Sequence, residues 1–330
     1  MSVLAELQAG LVLSRSPFGE LAEKLDIDLS DLLDLLNNLL EKQVLREISP
    51  VFNGAKLGYA STLIAASVPE SHISAFVDFV NAMPGVSHNY GRGNDYNVWF
   101  TIALPLLDTA ADPFEPLLAE LKREFALNSI ISLPVHKMYK LRVQFGKPLA
   151  RVGRGNYAPA GSSEKVLGSL GENERALIRQ LQKGLPLCEF PFARIAGESN
   201  SLAGYTVFTE SGIIQLLGQW QGQGIIRRIA GRVRHYNMGY NANAMLVLSM
   251  DESEIDSAGK IIAGKDFVSH CYHRQRLSSW PYDMYAMVHA GNQNQLDNYI
   301  AEIISQIKPA GHSILYTKCE YKKMAVKYFE

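Results

Sequence analysis

Leucines fall at helical spacing over Pro17 to Leu25 and again over Leu29 to Gln43, with Pro17 where a first helical turn tolerates it and Ser30 near the second start. Beyond them the pattern changes. Gly58 to Val68 reads as a strand, Ser71 to Met83 as a helix, Gly85 to Arg92 and Tyr96 to Leu104 as strands, Pro113 to Phe125 as a helix and Ser129 to Lys137 as a strand. That order is βαββαβ. A second set of short helices follows at Glu172 to Lys183, Pro191 to Gly197 and Ser211 to Gln223, with Ile225 to Ile229 as a wing-like strand, and the βαββαβ order returns between Gly239 and Tyr321. The expected class is α+β: a winged helix-turn-helix and a ferredoxin-like βαββαβ sheet with helices on one face, each present twice.

The duplication is visible in the residues themselves. Leu35-Leu36, Ile48 and Gly58-Tyr59 recur as Leu216-Leu217, Ile229 and Gly239-Tyr240 at one constant spacing. Val86-Ser87-His88-Asn89-Tyr90-Gly91-Arg92 then returns as Val268-Ser269-His270-Cys271-Tyr272-His273-Arg274, and Tyr96-Asn97-Val98-Trp99 aligns with Tyr282-Asp283-Met284-Tyr285 after a short insertion. Gly146 to Glu164, with Pro148, Pro159 and several glycines, reads as the linker. We therefore divide the chain into a helix-turn-helix domain at 1–54, a ferredoxin-like domain at 55–146, a linker at 147–164, a second helix-turn-helix domain at 165–235 and a second ferredoxin-like domain at 236–330. Two such sheets in one chain can pair as an intrachain pseudo-dimer.

Composition removes several classes of function. Thirty-two basic against 33 acidic side chains leave a formal charge of -1, so no general excess of positive charge favours nucleic acid or anionic lipid. Apolar runs such as Leu63 to Val68 are strand-length, and no membrane span or leader is visible, which gives an expectation of a cytoplasmic globular protein. The three cysteines, Cys188, Cys271 and Cys319, are too scattered for a zinc or iron-sulfur framework. There is no P-loop. Gly91-Arg92-Gly93 and Gly153-Arg154-Gly155 read as turns without full dinucleotide spacing.

Alternate residues of a strand share a face, so His88, Tyr90 and Arg92 point together, as do His270, Tyr272 and Arg274. Arg offers a fork for carboxylates, Tyr a donor and a π-face, His a proton or a metal-ligand nitrogen. A lone strand histidine is commonly an ordinary hydrogen-bonded residue, and its recurrence in both copies shifts the balance towards function. His273 and Arg276 add polar groups on the second strand and its turn. Trp99, Trp280 and Tyr285 can line a slot for a planar ligand or pack in an ordinary core. Lys137 and Lys322, in the cationic runs His136 to Lys140 and Lys318 to Lys323, either guard a solvated strand edge or help to hold an anion.

A helix-turn-helix joined to a βαββαβ domain resembles the Lrp/AsnC family of transcription regulators. The charge pattern opposes DNA binding. Leu25 to Glu41 carries Asp26, Asp28, Asp31, Asp34 and Glu41 without a single Lys or Arg, and Ile195 to Ile226 also lacks both. We read both helix-turn-helix units as structural, and the basic residues Arg227, Arg228, Arg232 and Arg234 as a solvated wing.

Within that family, Ser87-His88-Asn89-Tyr90 with Arg92 and Tyr96 to Thr101, and Ser269-His270-Cys271-Tyr272 with Arg274 and Trp280 to Met287, resemble the two subunit types of the siroheme decarboxylases of heme d1 and alternative heme biosynthesis, here fused in one chain. The resemblance implies removal of two acetate carboxyls of siroheme as carbon dioxide, giving didecarboxysiroheme, with no cofactor beyond the iron that arrives in the substrate. It implies Arg92 and Arg274 as carboxylate binders, His88 and His270 as proton donors or siroheme-iron ligands, and Tyr90 and Tyr272 as positioning groups, with His273 a second candidate ligand. Siroheme and its products are the expected partners, without DNA or membrane. A homodimer and transient contact with neighbouring tetrapyrrole-pathway enzymes are compatible with this reading. A tetrapyrrole-responsive regulator and a non-catalytic tetrapyrrole carrier are the competing readings.

Overall fold

A computed structural model describes residues 3–106, 112–141, 170–203, 207–233 and 242–330. The expected linker, the loop glycines near 154, and Arg234, Gly239 and Tyr240 lie outside the described residues. In chain order the first half runs α1 (Val3–Ala9), α2 (Pro17–Leu25), α3 (Leu29–Glu41), β1 (Leu45–Phe52), β2 (Tyr59–Ser67), α4 (Ile73–Ala82), β3 (Val86–Arg92), β4 (Val98–Pro105), α5 (Phe114–Glu124) and β5 (Ser129–Leu141). The second runs α6 (Glu172–Leu181), α7 (Pro191–Ala203), α8 (Glu210–Gly222), β6 (Ile226–Val233), β7 (Ala242–Ser249), α9 (Ile255–Ala263), β8 (Val268–Arg274), β9 (Met284–Ala290), α10 (Gln293–Ile307) and β10 (Gly311–Lys323). No helix among the described residues is long and apolar enough to cross a membrane.

The segments sort by kind into two compact units. The helical unit joins both helix-turn-helix segments with the C-terminal Lys327–Glu330. Its helices follow from their ends: Pro17 opens α2, Asp26 closes it in the left-handed conformation, and the Thr209 hydroxyl accepts from Gly212 N–H to start α8. Two features depart from the sequence reading. β6 is not an open wing, because it pairs antiparallel with β1, Ile48 facing Gly231 and Pro50 facing Ile229. The added helix α1 buries Leu7 completely, beside Gly231, where a Cβ would lie 3.0 Å from that of Leu7. Arg227 and Arg228 of β6 are exposed, whereas Arg232 faces Glu47 at 3.5 Å.

The second unit holds both βαββαβ segments. Each supplies four antiparallel strands in ferredoxin-like order, β3-β4-β2-β5 in the first copy, with its two helices on one face. The last strand of each copy is longer than the pattern predicts. Ser129 to Pro134 of β5 pairs with β2, and after a register shift Val135 to Leu141 pairs with β8 of the other copy. β10 behaves alike, pairing with β7 through Tyr316 and with β3 from Thr317 onward. The pseudo-dimer is thus a closed eight-stranded barrel. Neither cationic run forms a solvated edge, since barrel closure pairs both strands throughout.

Strand alternation builds three cores. Ile64, Phe76, Val80, Phe100 and Leu121 pack under α4 and α5, and Leu246, Ile262, Val288, Leu296 and Ile303 pack under α9 and α10. Between the sheets lie Ala65, Trp99, Leu133, Val247, Tyr285 and Leu315. Trp99 is the largest fully buried side chain of this inner core, its ring centroid 5.4 Å from Trp280. Trp99→Ala should cost about 3–5 kcal/mol through lost contact and a residual cavity. Thermal unfolding followed by far-UV circular dichroism should show a clearly lowered transition, and an unchanged one would remove the inner core from its stabilising role.

Candidate active site

Each motif strand carries a bulge at the residue before its histidine. Val86 pairs with Ile102 and His88 with Thr101, so Ser87 is extra, and Ser269 occupies the same place between Val268 and His270. The bulge turns each serine onto its neighbour. Ser87 Oγ lies 2.9 Å from His88 Nδ1, and Ser269 Oγ 2.6 Å from His270 Nδ1. With Nδ1 engaged by the serine, Nε2 is the imidazole atom that acid or iron-ligand chemistry would use. After the bulge the alternation is regular, sending Cys271 into the helix-covered core and Asn89 to Asn81, while the His, Tyr and Arg side chains share the opposite face.

There they form two columns. The His88 and Tyr90 rings stack at 6.2 Å and His270 and Tyr272 lie at 6.1 Å; the Arg92 guanidinium sits 5.5 Å from the Tyr90 ring centre, Arg274 4.9 Å from that of Tyr272. Both arginines are buried, Arg92 at 5% and Arg274 at 8% exposure. Arg92 donates through Nη1 to the Leu315 carbonyl at 2.7 Å and to the Thr317 hydroxyl, and Arg274 through Nη1 to the Leu133 carbonyl at 2.6 Å. Leu315 and Leu133 are equivalent residues, so each arginine reaches into the opposite copy. Among the described residues neither pairs with a carboxylate, and both Nε atoms are buried without an acceptor. Burial consequently disfavours the cations, pulling Arg92 down to about 10 and lowering Arg274 as well.

Several sequence candidates occupy other places. Trp99, Trp280 and Tyr285 do not line an open slot: they fill the space between the sheets, and Trp280 Nε1 donates to the Tyr285 hydroxyl at 2.9 Å. His273 has the parity of Cys271 and leaves the column. Its ring lies 5.2 Å from that of His136, and burial followed by His136 lowers its pKa. Lys137 is paired with Asp256 of α9 at 2.6 Å. Lys322 donates to the Asn81 and Met83 carbonyls at the end of α4, and Lys140 does the same for Lys265 after α9, so these cations serve helix C-termini. Gly91 is not slack: a Cβ there would come within 2.7 Å of Cys319 Sγ.

Arg276 also has a structural partner. In the first copy the Asn97 amide both accepts from Val68 N–H and donates to Val68 C=O. Asp283 stands at that place in the second copy and accepts from Met250 N–H at 3.1 Å, but a carboxylate has no hydrogen to give back. Arg276 supplies it, bonding both Asp283 and the Met250 carbonyl.

The pattern missed Ser87 and Ser269 as orienting groups, although the Ser-His pair in both copies was a usable signal. It also missed His289 on β9, whose Nε2 lies 2.7 Å from Ser269 Oγ. Ala103 occupies the matching position of β4, because Val86 faces Ile102 as Val268 faces Val288. Among the described residues no group of three or more His, Cys, Asp or Glu could hold a metal ion.

The barrel of two ferredoxin-like sheets with paired columns defines a duplicated AsnC-like protein. A family description of the AsnC-like ligand binding domain matches residues 56–140 and 237–322, and one of the siroheme decarboxylase NirDL-like HTH domain matches residues 2–46. Over 334 aligned residues the chain is 32% identical to a siroheme decarboxylase of Hydrogenobacter thermophilus, covering 99% of this chain and 94% of the relative. A siroheme decarboxylase alpha subunit of Desulfovibrio desulfuricans is 39% identical over 139 residues, 42% of this chain and 78% of the subunit. The crystal structure of the siroheme decarboxylase NirDL, also solved in co-complex with an iron-uroporphyrin III analogue, superposes with a TM-score of 0.75 at 29% identity, covering 99% of this chain and 93% of that one. The chain belongs to the siroheme decarboxylases, a family of carboxy-lyases.

The Asp283–Arg276 exchange for a single asparagine gives a direct test of the second site's frame. Arg276→Ala strands a buried carboxylate and should destabilise by about 2 kcal/mol or more. The double variant Arg276→Ala with Asp283→Asn restores the arrangement of the first copy and should recover most of that loss in thermal unfolding.

Proposed function

We propose that this chain decarboxylates siroheme, converting two acetate side chains to methyl groups and releasing two molecules of carbon dioxide. The supporting observation is the pair of buried guanidinium groups, at equivalent places, that among the described residues have no carboxylate partner. A buried cation without a counter-charge is costly, and an incoming carboxylate supplies both the charge and the acceptor that Nε lacks. Because Tyr90 and Tyr272 cover these guanidiniums, their rings must yield as the acetate enters.

Each reaction consumes one proton. Protonation of the pyrrole makes the ring able to accept the electron pair of the breaking carbon–carbon bond; a proton then adds to the exocyclic carbon to form the methyl C–H bond as the ring gives up the proton it took, so one proton is consumed in all. No oxidant is needed, and on this reading the enzyme requires no cofactor of its own. The chain's residues hold the carboxylate through Arg92 and Arg274, position the ring through Tyr90 and Tyr272, and deliver the proton from Nε2 of His88 and His270. Ligation of the siroheme iron competes for the same nitrogen, so within one column acid and ligand exclude each other.

We assign no DNA-binding role to the helix-turn-helix segments. The exposed residues of α3 include Asp31, Asp34 and Glu41, which would repel phosphates.

The test is anaerobic incubation of the purified protein with siroheme, with products followed by mass. Loss of two carbon dioxide units without added cofactor is expected, and His88→Ala or His270→Ala should each stop the reaction after one. Arg92→Ala or Arg274→Ala should slow its step by about 10²–10³ while sparing binding of the ring. Tight binding with unchanged mass, under conditions where a known decarboxylase turns over, overturns the proposal.

A further inference from the structure

The two sites share their columns but not what stands behind them. In the second copy a single hydroxyl joins two imidazoles: His289 Nε2 lies 2.7 Å and His270 Nδ1 2.6 Å from Ser269 Oγ. Ser87 in the first copy meets His88 Nδ1 at 2.9 Å, and Ala103 takes the place of the second imidazole. A serine hydroxyl can accept from one imidazole N–H while donating to the other, which is the geometry of a proton wire. His289 is held in register for it by its own N–H, which donates to the Phe267 carbonyl at 2.9 Å, and it is half-buried on β9 rather than in the sealed inner core.

We propose that His289 and Ser269 form a proton relay that serves His270, so that a proton stored on His289 backs the acid of the second site at the moment of transfer. The proposal rests on the decarboxylase reading, because it concerns the proton which that reaction consumes. The balance is as follows. His289 starts as imidazolium and His270 as the neutral form carrying hydrogen on Nε2. The Nε2 proton of His270 passes to the substrate, the Ser269 hydroxyl hydrogen moves to His270 Nδ1, and the Nε2 hydrogen of His289 moves to Ser269 Oγ. Two neutral imidazoles, an intact hydroxyl and one delivered proton result. Uptake of a solvent proton at His270 Nε2 and the reverse shift restore the starting state. His289 does not touch substrate in this scheme; it acts through His270.

The experiment compares the full-length wild type with His289→Gln and Ser269→Ala in anaerobic siroheme turnover. Glutamine keeps an N–H for Ser269 and cannot carry an extra proton, so it separates transfer from mere positioning. In both variants the loss of one carbon dioxide should keep the wild-type rate, the loss of the other should slow by at least about tenfold, and a singly decarboxylated product should accumulate. The double variant should be no slower than either alone, because the residues act as a unit. A wild-type rate for both steps in His289→Gln overturns the relay. Nitrogen-15 spectra of the imidazoles in the substrate-free protein supply a readout that does not depend on turnover. His270 should change tautomer balance in both variants, and an unchanged balance overturns the relay even if siroheme is not decarboxylated. Failure of wild-type turnover with a coupled His270–His289 pair would instead overturn the decarboxylase reading alone.

Discussion

Each βαββαβ copy ends in a strand too long for its own sheet, and the surplus half pairs with the motif strand of the other copy. Everything around the columns depends on this exchange. It closes the barrel, removes all four sheet edges and brings the Leu133 and Leu315 carbonyls within reach of Arg274 and Arg92. An arginine buried without a carboxylate would be a poor choice for a monomeric sheet. Here each guanidinium is partly satisfied by main chain that only the partner copy can provide, so one set of bonds joins the halves and fixes the cations. The remaining donors are held in place before any ligand arrives, which is the condition for electrostatic stabilisation that requires no rearrangement of the protein charge.

Duplication then allowed the copies to diverge without disturbing that frame. The first copy ties the end of β2 with one asparagine, whereas the second uses an aspartate with an arginine from the following turn to make the same two main-chain contacts. The Gly91 position illustrates the same freedom. Glycine in the first copy admits Cys319 and Tyr321 close to the strand, while its counterpart His273 meets His136. The exchange of Ala103 for His289 is different in kind, since it adds a titratable group to a serine already bound to the column histidine.

Sequence periodicity exposed the repeat, both βαββαβ orders and the shared face of each His-Tyr-Arg set, because these depend on residues two to four positions apart. It failed where partners are distant. Arg274 and Leu133 are separated by 141 positions, and Arg92 and Leu315 by 223, so no local pattern could show that these arginines face main chain. Lys137, Lys322 and Arg276 had the composition of an anion site but spend their hydrogen bonds on Asp256, on helix-end carbonyls and on Asp283. The aromatic residues were ambiguous for a simpler reason: a slot and a core call for the same side chains, and only closure of the barrel decides that Trp99 and Trp280 pack on each other. The bulges at Ser87 and Ser269 also escaped, since alternation alone sends a serine and its neighbouring histidine to opposite faces.

The helical unit keeps a helix-turn-helix outline on a surface poorly suited to phosphate. Pairing of β1 with β6 occupies the strand that a DNA-binding wing would present, and the exposed surface of α3 has carboxylates where phosphate contacts require cations. On the proposed reading the chemistry belongs to the barrel. A protein that only senses or carries a tetrapyrrole needs a cradle for its carboxylates, and the buried arginines would suffice. Turnover makes a further demand, because each acetate converted removes a proton from the site that must be replaced before the next. On the proposed relay, a second imidazole behind the acid holds such a proton in reserve and adds nothing to affinity, so the His270–Ser269–His289 contacts bear on turnover more directly than the arginines do.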